Sequence, residues 1–599
     1  MGSMSTAVGF GRSAFETLDR WRWLLWYHRP EQLARRLCYR IRDRVGTRQF
    51  KATTDSLPSV CFESLPRWAE LPHDVSPTVA DELAHGRLTL LNLTSEVGQP
   101  LEWQTSSRSL MPPLWEFQLQ YHEYLLGIAD RSWNESKRQL VQGVVNGWLD
   151  CFEHRPDKVA WHPYCISRRV WVWFRLLAEG VPANSDRHRW IASLVLQIRW
   201  LERRLERDLG GNHLWENARA LAAAGAFFKG TEADRWWQLG AALMQECLAD
   251  QLLPWGEHYE RSPMYQADLT RGLRELSLVS HTRDAELSER WSETARRMES
   301  FLNGIRHPNG SIPLFGDSSL DGVDGQVGKS SVGRDRSEWV GDYYVHRDQD
   351  HQLVFDAGNL GPDELPAHAH ADLLGYELSA FGEQVIVDSG THSYTGVERT
   401  KFRATAAHNV LMIDGAEVAD TWSSFRMGRR GHVTHRDSGK MAFGRWVRAS
   451  HDGYSHLGIR EVTRTWFLAD AGIWFCIDVA EGTSRHVGTS LVHWAPSVAL
   501  SPVDLGYVVT TKRGTLFWRP VGTFDRVDAQ PSTYAARFYS PVPNERWEIR
   551  STNAERICIG WGLALDGRPF QADVTLGDDV IHLRWNRGER NIETAVPRR

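Results

Sequence analysis

Pro308-Asn309-Gly310 divides the chain into two kinds of sequence. Before it, from about residue 113 to about residue 305, apolar side chains recur at helical spacing. Arg169-Val170-Trp171-Val172-Trp173-Phe174-Arg175-Leu176-Leu177 and Trp236-Trp237-Gln238-Leu239-Gly240-Ala241-Ala242-Leu243 are examples. Many helices of similar length joined by short loops predict stacked helical hairpins, in a solenoid or a closed α/α toroid. No exact repeat is visible. After the division the signal is β. Gln352-Leu353-Val354-Phe355, Gln384-Val385-Ile386-Val387, Val410-Leu411-Met412-Ile413, Ile473-Trp474-Phe475-Cys476-Ile477 and Tyr507-Val508-Val509-Thr510-Thr511 are short apolar runs between turn residues. They predict an antiparallel sandwich. The stretch 315–340, rich in Gly, Ser and Asp, reads as a linker or mobile loop. The fold class expected is multidomain α+β. Residues 1–110 form a helical and mixed arm, 111–335 the helical domain, and 336–599 an antiparallel β domain with a candidate subdivision near 500.

At 599 residues the chain is too long for one core. With 42% hydrophobic and 24% charged residues it has a globular composition. The excess is 28 tryptophans, which either fill cores or stack on sugar rings. Lys+Arg 70 against Asp+Glu 75, a net charge of -5, argues against general nucleic-acid binding while leaving room for a local basic cleft. Seven scattered cysteines with no CxxC spacing read as reduced thiols. Residues 14–45 read as one or two basic amphipathic helices broken at Pro30, either a packing arm or a peripheral membrane anchor. Arg87-Leu88-Thr89-Leu90-Leu91-Asn92-Leu93 reads as a short strand. Trp21-Arg22-Trp23-Leu24-Leu25-Trp26-Tyr27 is too short to span a bilayer, so no integral membrane segment is expected. Met1-Gly2-Ser3 looks like a cloning remnant, and no signal peptide follows it. The expected location is cytoplasmic, or periplasmic or secreted if a signal was removed.

Five stretches stand out. Gly210-Gly211-Asn212-His213-Leu214-Trp215-Glu216-Asn217 places an amide and an imidazole where a helix begins. Asn212 there is either the helix cap or a functional amide. Glu257-His258-Tyr259-Glu260-Arg261-Ser262-Pro263-Met264-Tyr265 meets a Ser-Pro helix start with Tyr265 in its first turn. Tyr265 is either a buried aromatic or a reactive phenol. Pro366-Ala367-His368-Ala369-His370-Ala371-Asp372 puts two histidines on one face of an extended strand. Val385-Ile386-Val387-Asp388-Ser389-Gly390-Thr391-His392 and Ala406-Ala407-His408-Asn409-Val410 add a carboxylate and another imidazole, residue types that suit a divalent metal. Ordinary hydrogen-bonded histidines are the other reading.

Taken in order, Asn-His, Glu-Arg-Ser-Pro-Met-Tyr, His-Ala-His-Ala-Asp, Asp-Ser-Gly-Thr and Ala-His-Asn-Val resemble the heparinase II/III-type polysaccharide lyases. Trp161-His162-Pro163-Tyr164-Cys165-Ile166-Ser167-Arg168-Arg169 is also similar to a segment of that group. The resemblance covers about 110–430 well and the two ends weakly. It implies an N-terminal (α/α) toroid followed by a C-terminal antiparallel β-sandwich. It also implies cleavage of a uronic-acid polysaccharide by β-elimination, with Asn212 on the carboxylate, Tyr265 transferring protons, His213 as a second base and His368 reaching the cleft from the β domain. Arg168, Arg399, Lys401 and Arg403 become candidates for binding acidic sugars, and Glu216, Asn217 and Glu260 for orienting the site. His370, Asp388 and His408 become ligands of a structural divalent metal, zinc first, with manganese or calcium as alternatives. The 18-residue spacing of His370 and Asp388 fits two strands joined by a turn around Gly382. The implied partner is an acidic polysaccharide, such as heparin, heparan sulfate, chondroitin sulfate, hyaluronan, alginate or a bacterial exopolysaccharide. The chain acts as a monomer or homodimer in this reading. A hydrolase using a pair such as Glu257 and Glu260, and a non-catalytic polysaccharide-binding protein, are the competing readings.

Overall fold

The computed structural model describes residues 14–45, 57–71, 78–103, 110–128, 133–153, 157–323, 335–587 and 590–597. Met1-Gly2-Ser3, and residues 324–334 of the expected linker, lie outside the described residues.

The fold is α+β: helices lead up to Ile305 and antiparallel sheets follow from Arg336. Local chemistry sets the helix starts. Asn134, Ser262 and Asp284 each accept a backbone N–H of the first turn of Glu135–Phe152, Pro263–Ser280 and Ala285–Ile305. Pro163 and Pro263 open their helices, where a missing N–H costs nothing. Gly211–Phe227 and Thr231–Gln251 form a tight hairpin joined at Phe228–Gly230. Gly225 and Gly240 allow the close approach, because a Cβ on Gly225 would lie 2.5 Å from Trp237 and one on Gly240 would strike the Ala222 backbone. Eight tryptophans of the helical part are fully buried, among them Trp68, Trp148, Trp173 and Trp215, as are Trp466, Trp474, Trp494 and Trp518 of the β part. Most of the tryptophan excess is therefore core.

The first sheet has five strands in chain order, Arg336–Val340, Tyr343–Asp348, His351–Asp356, Tyr376–Ala380 and Glu383–Ile386. An eight-stranded sheet runs from Val433–Met441 through Ile473–His486 to Ala499–Val503, with Ala554–Ala564 inserted at its centre beside Ile473–His486. A four-stranded sheet holds Leu411–Ile413, Gly488–His493, Val542–Ser551 and Phe524–Tyr534, and a three-stranded sheet ends the chain. All the paired strands are antiparallel. Tyr376, Trp466, Trp494 and Ile549 bring the five-, eight- and four-stranded sheets to one apolar core.

Four expectations change. Residues 87–93 are a hairpin of Arg87–Leu90 and Leu93–Glu96, because Leu91 and Asn92 take left-handed φ at its turn. Gly210, not Asn212, caps Gly211–Phe227: its positive φ lets the chain turn into the helix, and Asn212 falls within the first turn. Phe315, Gly316, Asp317, Ser318 and Ser319 are buried rather than linker, since their small polar groups satisfy one another and Ser262. His368 and His370 sit in a loop, not on a strand. The N-terminal arm is two helices, Ala14–Tyr27 and Pro30–Val45, broken at Pro30.

Candidate active site

Asn212, His213, Tyr265 and His368 line one cleft of about 2310 Å³, formed by the helical part and the loops that flank the first sheet. Tyr265 stands in the first turn of Pro263–Ser280 because Ser262 Oγ accepts its N–H at 3.3 Å. Its ring lies 4.1 Å from that of His368, and its Oη is 3.0 Å from Tyr394 Oη. Burial, then Tyr394, Asp317 and Glu260, push the Tyr265 phenol well above its usual pKa, so it stays protonated at neutral pH.

His213 reaches the cleft from the same helix turn as Asn212. Its Nδ1 is 2.8 Å from Glu206 Oε1, and its ring is 4.6 Å from Tyr164. Burial opposes its cation, but the Glu206 carboxylate outweighs burial and holds its pKa above the ordinary value. Burial likewise opposes the Glu206 charge, and His213 overcomes it. Asn212 donates its backbone N–H to Glu260 Oε1 at 2.8 Å; among the described residues no protein group engages its side-chain amide.

The histidine loop is organised by Asp317. Its carboxylate meets His368 Nδ1 at 2.8 Å and His370 Nε2 at 2.9 Å, and takes both terminal nitrogens of Arg399. Burial opposes its charge, but Arg399 and the two imidazoles hold its pKa far below the usual range. His368 Nε2 turns toward Glu260 Oε2, 3.4 Å away.

The expected sugar-binding residues divide. Arg168 and Glu260 line the cleft, but the Arg168 guanidinium is held by Glu123 at 2.6 Å and Asp268 at 2.7 Å. Asn217 is buried behind the site: its Oδ1 accepts the Glu206 N–H at 2.8 Å and its amide donates to Glu206 Oε2 at 2.9 Å. Glu216 is buried against Arg219 at 3.0 Å. Arg399 and Arg403 are buried and do not line the cleft. Arg399 binds Asp317, and Arg403 donates to the carbonyls of Pro366, Ala369 and Ser423, pinning the loop that carries His368. Charge on a helix read as sugar-binding is instead spent on ordering a chain segment. Glu257 is also buried, with Arg261 and Trp255, outside the cleft.

Among the three expected metal ligands, His408 Nδ1 binds Asp388 Oδ2 at 2.7 Å, and the rings of His370 and His408 are 5.2 Å apart. Among the described residues no group of three His, Cys, Asp or Glu side chains is arranged to hold a metal ion. His370 Nδ1 and His408 Nε2 are nevertheless buried with no hydrogen-bond partner. Two such imidazole nitrogens beside a carboxylate are donors of the type a zinc-like cation takes.

Asp317, Tyr394 and Glu206 were not singled out by the sequence. Tyr394 follows Asp388-Ser389-Gly390-Thr391-His392-Ser393 by one residue, and that nearness to a recognised motif was the available signal. Asp317 was masked by the Gly/Ser-rich composition around it, and Glu206 by lying upstream of the Gly-Gly turn.

Helices packed against antiparallel sheets, with a phenol, two imidazoles and an amide in the cleft they share, frame the candidate site. Residues 91–331 match the model of the heparinase II/III N-terminus, and 339–562 that of the heparinase II/III-like C-terminal region. The chain belongs to the heparinase II/III-like family. It is 24% identical over 304 residues to the heparin-sulfate lyase of Pedobacter heparinus, covering 44% of this chain and 46% of that protein. The match thus spans about half the length of that relative. Among solved structures, heparinase III is similar with a TM-score of 0.71 at 16% identity, over 90% of this chain and 94% of that one. The heparan sulfate lyase HepC of Pedobacter heparinus has a TM-score of 0.59 at 16% identity, over 90% of this chain and 93% of that one. No helix among the described residues is long and apolar enough to cross a membrane.

Proposed function

We propose that this protein is a polysaccharide lyase that cleaves a uronic-acid-containing polysaccharide by β-elimination, with a glycosaminoglycan such as heparan sulfate as first candidate. Alginate or a bacterial exopolysaccharide is the alternative substrate. In this reading the helical domain is an (α/α) toroid and the sheets form a sandwich against it. The observation that carries the proposal is the grouping of Tyr265, Tyr394, His368, His213 and Asn212 around one cleft.

The reaction needs three things. The Asn212 amide hydrogen-bonds the uronate carboxylate, stabilising the charge that develops when C5 loses its proton. His213, in its neutral form, accepts the C5 proton. The C5 electron pair forms the C4–C5 double bond as the C4–O4 bond breaks, and Tyr265 gives its phenolic proton to the departing O4. A phenol with a raised pKa suits protonating an alkoxide better than acting as the base, which favours different residues for the two protons. Tyr394 then passes a proton to Tyr265 across their 3.0 Å contact and takes one from solvent, while His213 gives the C5 proton up to solvent, so that both groups are restored.

A divalent cation, zinc first, would be held by His370 and His408 with Asp388, and would supply a structural link behind the His368 loop. About one divalent ion per chain is expected from elemental analysis of the purified protein, lost in His370→Ala. Metal-free protein of full activity and stability would overturn that site.

Glycosaminoglycans and alginate offered as a panel should give an unsaturated uronate, read by its ultraviolet absorbance and by product mass. Tyr265→Phe should lose turnover by roughly 10²- to 10⁴-fold, the usual contribution of a positioned proton donor. Products carrying oxygen from labelled water, or no product at all, would sink the lyase reading.

A further inference from the structure

The two N-terminal helices lie outside both matched family regions, yet the second, Pro30–Val45, with His28 before it, forms part of the cleft wall. They are fastened on both sides. Arg20 makes a two-pronged ion pair with Asp420 at 3.0 and 2.9 Å, and the Arg430 guanidinium sits 4.0 Å from the Tyr27 ring centre. Toward the helical part, Arg29 donates to Asp250 at 3.2 Å and Arg35 donates to the Arg207 carbonyl, and Arg29 also pairs with Glu364 of the β part. This places one face of Pro30–Val45 on the cleft. Arg36, Tyr39 and Arg40 share that face at i, i+3 and i+4, and all three line the cleft, as does Arg426 from the β part.

The charge there is unbalanced. Near Tyr164 and Tyr265 the cleft's cations have carboxylates: Arg168 has Glu123 and Asp268, and Arg271 has Asp268. Among the described residues, two further guanidiniums, Arg40 and Arg426, stand around Arg36 against one carboxylate, that of Asp208, with His28 Nε2 at 3.2 Å. Burial first, then Arg426 and Arg40, hold the Arg36 pKa below its usual value despite Asp208. A bound anion would relieve both the burial and the repulsion. Arginine is suited to this, presenting a planar fork that matches carboxylate and sulfate oxygens.

We propose that residues 14–45 complete the cleft as an anion subsite, in which Arg36 and Arg40, with Arg426 facing them, hold a carboxylate or sulfate on a sugar of the acidic chain other than the one being cleaved. The inference rests on the proposed lyase reading for what the chain carries, and it adds a preference: long acidic chains over short ones. Arg36 and Arg40 stand on Pro30–Val45 and Tyr265 on Pro263–Ser280, on separate elements of the cleft wall.

The test uses the full chain with Tyr265→Phe, titrated with heparin as the probe polyanion. Arg36→Gln with Arg40→Gln should weaken heparin binding by about tenfold or more, and Arg426→Gln should weaken it in the same direction. Arg20→Ala, which unfastens the arm without touching the cleft, should also weaken it. Arg296→Gln with Arg584→Gln removes two exposed charges elsewhere and should leave binding as it was. Unaltered affinity in the Arg36 and Arg40 pair, an equal loss in the remote pair, or no heparin binding by the parent would each overturn the subsite. In active protein, the ratio of kcat/KM for polymer to that for a tetrasaccharide should fall with the same substitutions. Elimination that persists with an unaltered ratio would sink the subsite alone; heparin binding lost in the Arg36 and Arg40 pair without any elimination would sink the lyase reading alone.

Discussion

Glu206 and His213 make the proton-acceptor role testable by pH. His213 must be neutral to take the C5 proton, and its pKa is raised, so activity should rise with pH along a limb lying above the ordinary histidine value. Glu206→Gln removes the carboxylate that raises it. Burial, which opposes the cation, then governs, and the limb in a profile of kcat/KM against pH should move to lower pH. A limb that stays in place would take His213 out of the base role. At this scale the sequence reading was uneven for a physical reason. Tyr265 was legible because Ser-Pro fixes where its helix begins, and Ser262 duly caps it. Arg399 and Arg403 misled because a basic helical turn looks alike whether it meets solvent, a sugar or a buried aspartate. Only the position of Asp317, 82 residues before Arg399, distinguishes these.

Among the elements, the hairpin of Gly211–Phe227 and Thr231–Gln251 sets the position of Asn212 and His213 through how closely its helices pack. Gly240 is a mid-helix glycine, so by propensity alone alanine would favour the helix by about 1 kcal/mol. Packing argues the other way, since the added methyl would fall on the Ala222 backbone in the helix that carries the two site residues. Overpacking of this kind costs roughly 1–3 kcal/mol. Gly240→Ala should therefore lower the unfolding free energy in denaturant and reduce turnover together, whereas alanine at the uncrowded, exposed Gly143 in Glu135–Phe152 should do neither. The helices themselves were legible from apolar spacing, and so were the main strands. Turns were less so. Residues 87–93 read as one strand because their β-branched and leucine side chains continue through the turn, which is set by backbone φ at Leu91 and Asn92 rather than by glycine or proline.

For the whole molecule, the change of sequence character at Pro308-Asn309-Gly310 located the passage from helices to sheets, but nothing in it told what joins them. Arg261 does. It takes a left-handed φ just before Ser262, and its buried guanidinium reaches Asp356 at 2.6 Å, Glu257 at 3.2 Å and Asp342 at 3.4 Å, above the Tyr343 ring. Asp342 and Asp356 belong to the first sheet and its turn, so one cation from the helical part ties the two parts together beside the cleft. Removing a partner from a buried ion cluster leaves uncompensated charge and costs about 3–5 kcal/mol. Burial already raises the Asp356 pKa to about 7 even though Arg261 opposes the rise. Without Arg261 it rises further, so at low pH the aspartate escapes the penalty by binding a proton, and at higher pH it cannot. Arg261→Met should thus lose more unfolding free energy at about pH 8 than at about pH 6, because the folded variant keeps a proton that the unfolded chain releases. A penalty of the same size at both values would mean that Asp356 is not the group left exposed to the loss, and that Arg261 stabilises the seam by packing on Tyr343 instead.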